Sequence, residues 1–526
     1  MSSFAHRHSV ADLLRRTARR NGAKVAIRCG DIVWSYRYFH GLCGRVAAGL
    51  SNLGVASGDR VALLAKNSHA FAAMRYALAE LGAVLVPINW MLDANEIAHL
   101  LSHSGARVLC VDSQFVEVAR QAAARATQVR SFVWLPSEAA TPPAPGMITF
   151  AELAAEREPL TPRPVNGGEL LQLVYTSGTE SVPKGVMLSH EAVMWQYVSC
   201  IVDGEIASDD VILHAMPLFH CAQLDVFLGP SVYVGGENII TANTRPESLL
   251  HLIDLHRVTS FFAPPTIWIS LLRSPAFDNY DLRSLRKAYY GASTMPVAVL
   301  EELRGRLPKT RFWNFYGQTE IAPLATVLKP EEQLRKAGSA GRPALNVETR
   351  VINDAGADVA VGEVGEIVHR SPQLLMAYFK DEARTAEAFA DGWFHSGDLA
   401  TTDAEAYITI VDRKKDIIKT GGENVASREV EEVIYRLESV AEVAVVGLAH
   451  PVWIEAVTAV IVLKPGSSLN EQAVIDHCRR HLAHFKAPKQ VLFASSLPKS
   501  PSGKLLKREL RRNLDQQAAS GTSTRT

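Results

Sequence analysis

"GDRVALLAKNSHAFAAMRYALAELGAVLVPIN", Gly58–Asn89, decides the fold class. Along the chain it is an apolar strand, a helix and a second apolar strand. Two strands joined through a helix make a βαβ unit, the connection from which parallel sheets are built. The same texture returns in "DVILHAMPLFH" (210–220), "TSFFAPPTIWISLL" (259–272) and "KAYYGASTM" (287–295), so the expectation is an α/β fold.

On the N-terminal side, "KVAIRCGDIVWSYRYFHGLCGRVAAGLSNLG" (24–54) reads as a strand, a turn at Gly30-Asp31, a second strand and a helix. "SVADLLRRTARRNG" (9–22) precedes it, with a Ser9 cap, Val10, Leu13 and Leu14 at helical spacing, and Gly22 at its close. The Arg-rich, acid-poor start has some transit-peptide character, but the capped helix is the preferred reading. Residues 136–165, rich in Pro, Ala and Glu, read as a surface excursion.

From Ala344 the texture changes. "NVETRVIND" (346–354), "GEVGEIVHR" (362–370) and "AYITIVD" (406–412) are short alternating strands split by Gly and Asp, which predicts a small antiparallel barrel or sheet. Beyond "DRKKD" (412–416) come a helix (427–438), two strands (440–449, 455–464), a helix (471–485) and "KQVLFASSLPKS", a compact α+β unit. The polar tail "DQQAASGTSTRT" (515–526) is expected to be disordered from 516 onward.

The chain has 526 residues, room for three or four units at ~150 residues each. With 47% hydrophobic residues it can build a large core, which excludes global disorder. Fifty-five bases balance 55 acids, which argues against a dedicated nucleic-acid surface. Six scattered cysteines without a CxxC pair suit a reducing, cytoplasmic compartment and argue against a zinc site or disulfide scaffold. No apolar run approaches the ~18 residues of a membrane span.

Three stretches carry chemistry. "LVYTSGTESVPKGVMLSH", Leu173–His190, packs hydroxyls, glycines and a lysine between an apolar run and a helix opened by Ser189. It is not a Walker A, since Lys184 precedes a glycine, but its physics is similar. Thr176, Ser177 and Thr179 offer hydroxyl donors, Gly178 lets backbone N–H groups approach, and Lys184 supplies a point charge. In "FWNFYGQTE" (312–320), Tyr316, Gly317, Thr319 and Glu320 end an apolar strand, a set that suits a nucleotide and Mg²⁺. "WFHSGDLA" (393–400) places Asp398 to accept two ribose hydroxyl bonds. Each alone is commonly an ordinary loop or turn; their length and order together favour the phosphate reading.

In their order and spacing, "YTSGTESVPKGV", "YGQTE", "HSGDLA", "DRKKDIIKTGGENV" (412–425) and "PKSPSGK" (498–504) resemble the adenylate-forming superfamily. That group includes acyl-CoA synthetases, aryl-CoA ligases, beetle luciferases and peptide-synthetase adenylation domains. The chain is most similar to its bacterial fatty-acyl or aryl-acyl CoA ligases. The resemblance implies a large N-terminal AMP-binding domain, 1–412, of two sheet–helix subdomains plus a small β-barrel (about 340–412). A mobile α+β C-terminal domain, 413–515, would follow.

It also implies roles. Thr176, Ser177, Gly178, Thr179 and Lys184 would hold the ATP β- and γ-phosphates. Tyr316 and Gly317 would lie near adenine beside Gly291, Ala292 and Ser293, with Thr319 on the α-phosphate and Glu320 on Mg²⁺. Asp398 and Arg413 would grip the ribose. Lys415 matches the hinge, Lys504 the catalytic lysine, and His220 the gate between nucleotide and acid. Lys419, Gly421 and Gly422 would line the path of coenzyme A. Cys221 reads as a pocket wall and not a nucleophile, because no base partner is evident.

Two positions depart from the family pattern. Glu180-Ser181 stands where the loop usually reads Thr-Gly. A carboxylate ~5 Å from a phosphate oxygen at an effective dielectric near 20 would cost ~3 kcal/mol, about two decades in rate, unless it faces water. Ala406 stands where a glycine usually precedes Tyr407, with a local backbone effect expected.

The first reading is therefore an AMP-forming acid–CoA ligase. A second is an enzyme that only thioesterifies, using an acyl-AMP from a partner adenylating ligase. A third, a non-catalytic acyl or nucleotide binder, is opposed by the retention of Lys504, Glu320, Asp398 and Lys415. The apolar stretches after His220, around Pro264–Trp268, and near Phe315 and Ile321 predict a fatty, aromatic or polycyclic acid. Homodimerisation is left open.

Overall fold

Helix His69–Leu81 is capped by Ser68, whose side chain accepts from the Phe71 amide, and ends at Gly82 with φ 73°. Every one of its residues except Glu80 is buried, as an all-round apolar helix must be. It joins strands Arg60–Leu64 and Val84–Pro87, which pair in parallel with Val61 opposite Leu85, so Gly58–Asn89 is the βαβ unit that its sequence predicts. This computed structural model describes residues 8–138, 141–155, 158, 160, 164–176, 183–293, 295–414, 416–420, 423–500 and 505–519.

Among these, seven strands form one sheet in the order Ile148–Thr149, Ser131–Leu135, Val108–Asp112, Arg60–Leu64, Val84–Pro87, Leu170–Thr176, Lys184–Ser189. Nine strands form a second: Arg342–Pro343, Leu324–Leu328, Arg311–Gly317, Lys287–Gly291, Ser260–Phe262, Val211–His214, Glu237–Ile240, Val25–Cys29, Ile32–Ser35. Their inner strands are parallel and mostly apolar; antiparallel pairs close both edges of the nine-stranded sheet and one edge of the seven-stranded sheet, whose other edge strand, Ile148–Thr149, pairs in parallel. The largest apolar cluster joins Leu63 and Leu85 of the first sheet to Ile27 and Ile240 of the second through Phe39, Phe71 and Leu228.

A polar seam crosses the same interface. Arg75, from the buried helix, meets Asp225 at 2.9 Å, and Asp225 also accepts from Gln172 at 2.7 Å and Tyr197 at 3.2 Å. Burial raises the Asp225 carboxyl above its usual range, and Arg75 opposes that shift. Asp225 lies in a π-turn, Leu224–Leu228, just after His220.

The region expected to be barrel-like holds four antiparallel strands in chain order, Glu348–Ile352, Gly365–Arg370, Phe394–Thr402 and Ile408–Arg413. In the turn before the last, Ala406 takes φ 62°, the left-handed region that favours glycine. The final sheet runs Glu423–Val425, Ile418–Thr420, Ile454–Leu463, Val440–His450, with Gln490–Phe493 parallel to the third. At its hairpin end Ile454 has φ 69° and is 67% exposed, an uncommon state for a β-branched residue.

Two expectations need correction. Helix Lys507–Ala519 runs four residues into the segment expected to be disordered from 516, because Leu510 and Leu514 pack against Val446, Val460 and Leu497. Within the expected surface excursion, Ile148–Thr149 adds an edge strand and Phe150 and Leu153 are buried.

Candidate active site

Strands Ser260–Phe262, Lys287–Gly291 and Arg311–Gly317 are parallel, so Phe262, Gly291 and Tyr316-Gly317 reach the same sheet edge. In an open α/β sheet this crevice beyond the carboxyl ends is where ligands bind. A side chain cannot fit at Gly291, where a Cβ would lie 2.4 Å from the Phe315 carbonyl oxygen. Ala292 follows at φ 65° and leads into Ser293. Gly317 is tighter still: a Cβ there would overlap the Pro323 carbonyl.

Tyr316 donates its hydroxyl to Asp398 Oδ2 at 2.6 Å. Burial, then the Asp398 charge, push that phenol well above its usual value, so it remains a donor. Asp398 and Arg413 are paired across neighbouring strands, and the Arg413 Nε stands 3.5 Å from Asp398 Oδ1. The Asp398 carboxylate is thus nearly buried, 9% exposed, and oriented from both sides.

The turn Thr319–Ile321 continues from this strand. Thr319 is buried, and its Oγ1 lies 3.4 Å from Cys221 Sγ, linking it to the turn that His220 opens. There the His220 Nδ1 accepts from the Ala222 amide at 3.1 Å and caps Cys221–Gln223. Burial pushes the Cys221 thiol up to about 12, which supports reading it as a wall and not a nucleophile. The adjacent Gln318 Nε2 is buried without a hydrogen-bond partner among the described residues, an orphaned donor suited to an anionic oxygen.

Glu320 accepts from the Tyr378 hydroxyl at 3.0 Å, and the Lys184 ammonium lies 5.1 Å from the centroid of the same ring. Thr176 and Lys184 face each other at the base of the phosphate-type loop. Ser177, Gly178, Thr179 and Glu180-Ser181 lie outside the described residues, as do Lys415, Gly421, Gly422 and Lys504. Lys419 lies on the C-terminal sheet, where its amide donates to Glu455 Oε2 at 2.7 Å.

The structure therefore gathers Gly291, Tyr316, Gly317, Thr319, Glu320, Asp398, Arg413, Lys184 and His220 about the carboxyl end of strand Arg311–Gly317. Sequence reasoning missed Tyr378 and Gln318. Tyr378 stands in "LLMAYFKDEART", which carries no motif signal, and only its tertiary contacts reveal it. Behind the crevice, Phe227 stacks on Phe262 at 4.6 Å and on Phe315 at 6.0 Å, and Tyr289 packs against Phe315 at 5.3 Å.

The AMP-binding enzyme family matches residues 14–379, and the AMP-binding enzyme C-terminal domain matches residues 429–504. The chain is 36% identical to a feruloyl-CoA synthase of Amycolatopsis sp, over 94% of this chain and 97% of that one. It is 34% identical to an indoleacetate–CoA ligase of Aromatoleum aromaticum, over 95% of this chain and 97% of that one. Among solved structures it resembles the anthranilate CoA ligase AuaEII in complex with anthranoyl-AMP. That likeness has a TM-score of 0.90 and 25% identity, covering 99% of this chain and 100% of that one.

Proposed function

The chain belongs to the AMP-binding enzyme family, and on that premise we propose that it joins a hydrophobic carboxylic acid to coenzyme A through an acyl-adenylate, releasing AMP. The observation that carries this reading is the convergence of Tyr316–Asp398–Arg413, Gln318-Thr319 and Glu320 at one strand end, beside His220 and an aromatic wall.

A carboxylate is a poor electrophile because its leaving group would be oxide. In the first step a carboxylate oxygen of the acid attacks the α-phosphorus of ATP, and the bond to pyrophosphate breaks. Thr319 Oγ1 and Gln318 Nε2 donate to the oxygens that gather charge, and Lys504 adds a cation. Glu320, whose Oε1 accepts from Tyr378 at 3.0 Å, would hold Mg²⁺, and the cation would supply charge neutralisation at the phosphates. Asp398 and Arg413 fix the ribose, Tyr316 lies against adenine beside Gly291-Ala292-Ser293, and Thr176 to Thr179 with Lys184 hold the outer phosphates.

In the second step the CoA sulfur attacks the acyl carbon and AMP leaves. Pantetheine runs along Lys419, Gly421 and Gly422 once a swing about Lys415 has withdrawn Lys504. The C-terminal helix Ser427–Tyr435 is tied to the preceding strand by Ser427, which donates to Asp412 Oδ2 at 2.6 Å, and by Arg428, which donates to the Ile410 carbonyl at 2.7 Å. These are contacts that such a swing must exchange.

The stacked Phe227, Phe262 and Phe315 favour a flat or bulky apolar acid over a small or doubly charged one, because a buried charge there would lose its hydration. All six cysteines are free and buried, in keeping with a cytoplasmic location. Among the described residues no helix is long and apolar enough to cross a membrane. A panel of carboxylic acids with ATP, Mg²⁺ and CoA, read by mass spectrometry, tests the proposal. Aromatic acids should yield CoA thioesters; thioesters from acetate or malonate alone would contradict it.

A further inference from the structure

We propose that Tyr378 is a positioning residue that sets Glu320 for a divalent cation and Lys184 for the phosphates at the same time; the inference rests on the reading of Glu320 as metal ligand given above. Segment Leu375–Phe379 runs between two parts of the site. On one side it pairs with the strand that leaves the phosphate loop. The Met376 amide donates to the Met187 carbonyl at 2.9 Å, the Met187 amide to Ala377 at 3.1 Å, and the Phe379 amide to Gly185 at 2.8 Å. On the other side, the Leu375 amide donates to the Glu320 carbonyl at 2.8 Å.

The Tyr378 side chain completes this bridge. It is 6% exposed, and its own amide donates to Thr385 Oγ1 at 3.0 Å, which fixes the backbone from which the ring projects. Its hydroxyl occupies Glu320 Oε1 at 3.0 Å, so the carboxylate plane is set before any cation arrives. Its ring face carries the Lys184 ammonium at 5.1 Å, a contact that orients the cation without neutralising it. One aromatic side chain therefore stands between an ammonium and a carboxylate whose joint target is a metal-bound phosphate.

The ring and the hydroxyl can be removed separately. Tyr378→Phe keeps the platform for Lys184 and frees Glu320, while Tyr378→Leu releases both. Mn²⁺ serves as the probe, its binding to the full-length enzyme with a non-hydrolysable ATP analogue followed by electron paramagnetic resonance. Tyr378→Phe should weaken Mn²⁺ binding about 10- to 100-fold, the loss typical of a partner to a metal ligand. Metal-free binding of the analogue should stay unchanged in Tyr378→Phe and fall about 2- to 30-fold in Tyr378→Leu. Thioester formation from supplied acyl-adenylate, which needs neither outer phosphates nor their metal, should persist in Tyr378→Phe and doubles as proof of folding. Mn²⁺ affinity unchanged in Tyr378→Phe, or equal loss of both half-reactions, would overturn the proposal. Glu320→Gln separates the two levels. If it weakens Mn²⁺ binding while Tyr378→Phe does not, only the positioning role fails; if Glu320→Gln itself has no effect, the metal assignment fails and the inference with it.

Discussion

Asp398→Asn removes one negative charge from a nearly buried carboxylate while keeping its shape. Asp398 now receives the Tyr316 hydroxyl at 2.6 Å on one oxygen and faces Arg413 Nε at 3.5 Å on the other. The Tyr316 bond, and the ribose hydroxyl bonds proposed for the same carboxylate, are charge-assisted, a class worth about 1.5–3 kcal/mol each and roughly twice its neutral counterpart, while the half-exposed Arg413 adds only a screened ion pair. Asn retains one carbonyl acceptor, so the ribose loses close to one charged bond, about 1.5–3 kcal/mol, and Arg413 is left facing an amide. That converts to roughly one to two decades in affinity for the adenosine portion. Adenosine is present in both half-reactions, unlike the outer phosphates. The assay therefore measures ATP–pyrophosphate exchange and, separately, thioester formation from synthetic acyl-adenylate. Both should show a raised KM for the adenylate-bearing substrate by comparable factors. A variant that lost only one half-reaction, or neither, would refute the ribose assignment.

Glycine at two left-handed positions should stabilise the chain: Ile454→Gly, exposed at φ 69°, and Ala406→Gly, at φ 62°, should each add about 1 kcal/mol in urea unfolding, and lower stability for both would show that these backbones relax. Acid should weaken the fold through His214, whose Nε2 faces Asn238 Oδ1 at 2.9 Å and whose Nδ1 faces Gln223 Nε2 at 2.7 Å. Burial depresses that imidazole from near 6.5 to about 4, so between those values the unfolded chain binds the extra proton. Stability present above 6.5 is then lost as pH falls, and a flat urea midpoint across this window would contradict the argument. Glu180→Thr with Ser181→Gly should raise ATP-dependent adenylation and leave thioesterification from acyl-adenylate nearly unchanged; a few-fold gain means the acid faces solvent in a working ligase, and no change means it is immaterial.

The βαβ unit at Gly58–Asn89 was legible because its strands are continuous apolar runs and its helix is capped and buried nearly all round. The Tyr316–Glu320 and Asp398 stretches stood out because each sets a glycine beside a polar or charged side chain, at Gly317 and at Gly397, whereas the Tyr316–Asp398 hydrogen bond that joins them spans 82 residues and comes from the fold. Tyr378 was not, since its contacts with Glu320 and Lys184 arise from pairing between Leu375–Phe379 and Gly185–Met187, segments far apart in the chain. Edge strand Ile148–Thr149 was hidden for a similar reason: two residues in a Pro- and Ala-rich stretch carry no period of their own, and the sheet beside them supplies the pairing. Ile454 shows the opposite failure. Local chemistry argues against a left-handed β-branched residue there, and the long hairpin of Val440–His450 with Ile454–Leu463 overrides it.

The central claim, that the acid is activated as an acyl-adenylate before it meets CoA, is tested most directly by isotope transfer. An aromatic acid labelled with oxygen-18 in its carboxylate is turned over with ATP, Mg²⁺ and CoA, and the nucleotide product is weighed by mass spectrometry. Attack of a carboxylate oxygen on the α-phosphorus, followed by thiol attack on the acyl carbon, leaves one labelled oxygen in AMP and produces pyrophosphate. Label in AMP at one oxygen per thioester is the predicted result. ADP and phosphate as products, or thioester formed with unlabelled AMP, would contradict the account.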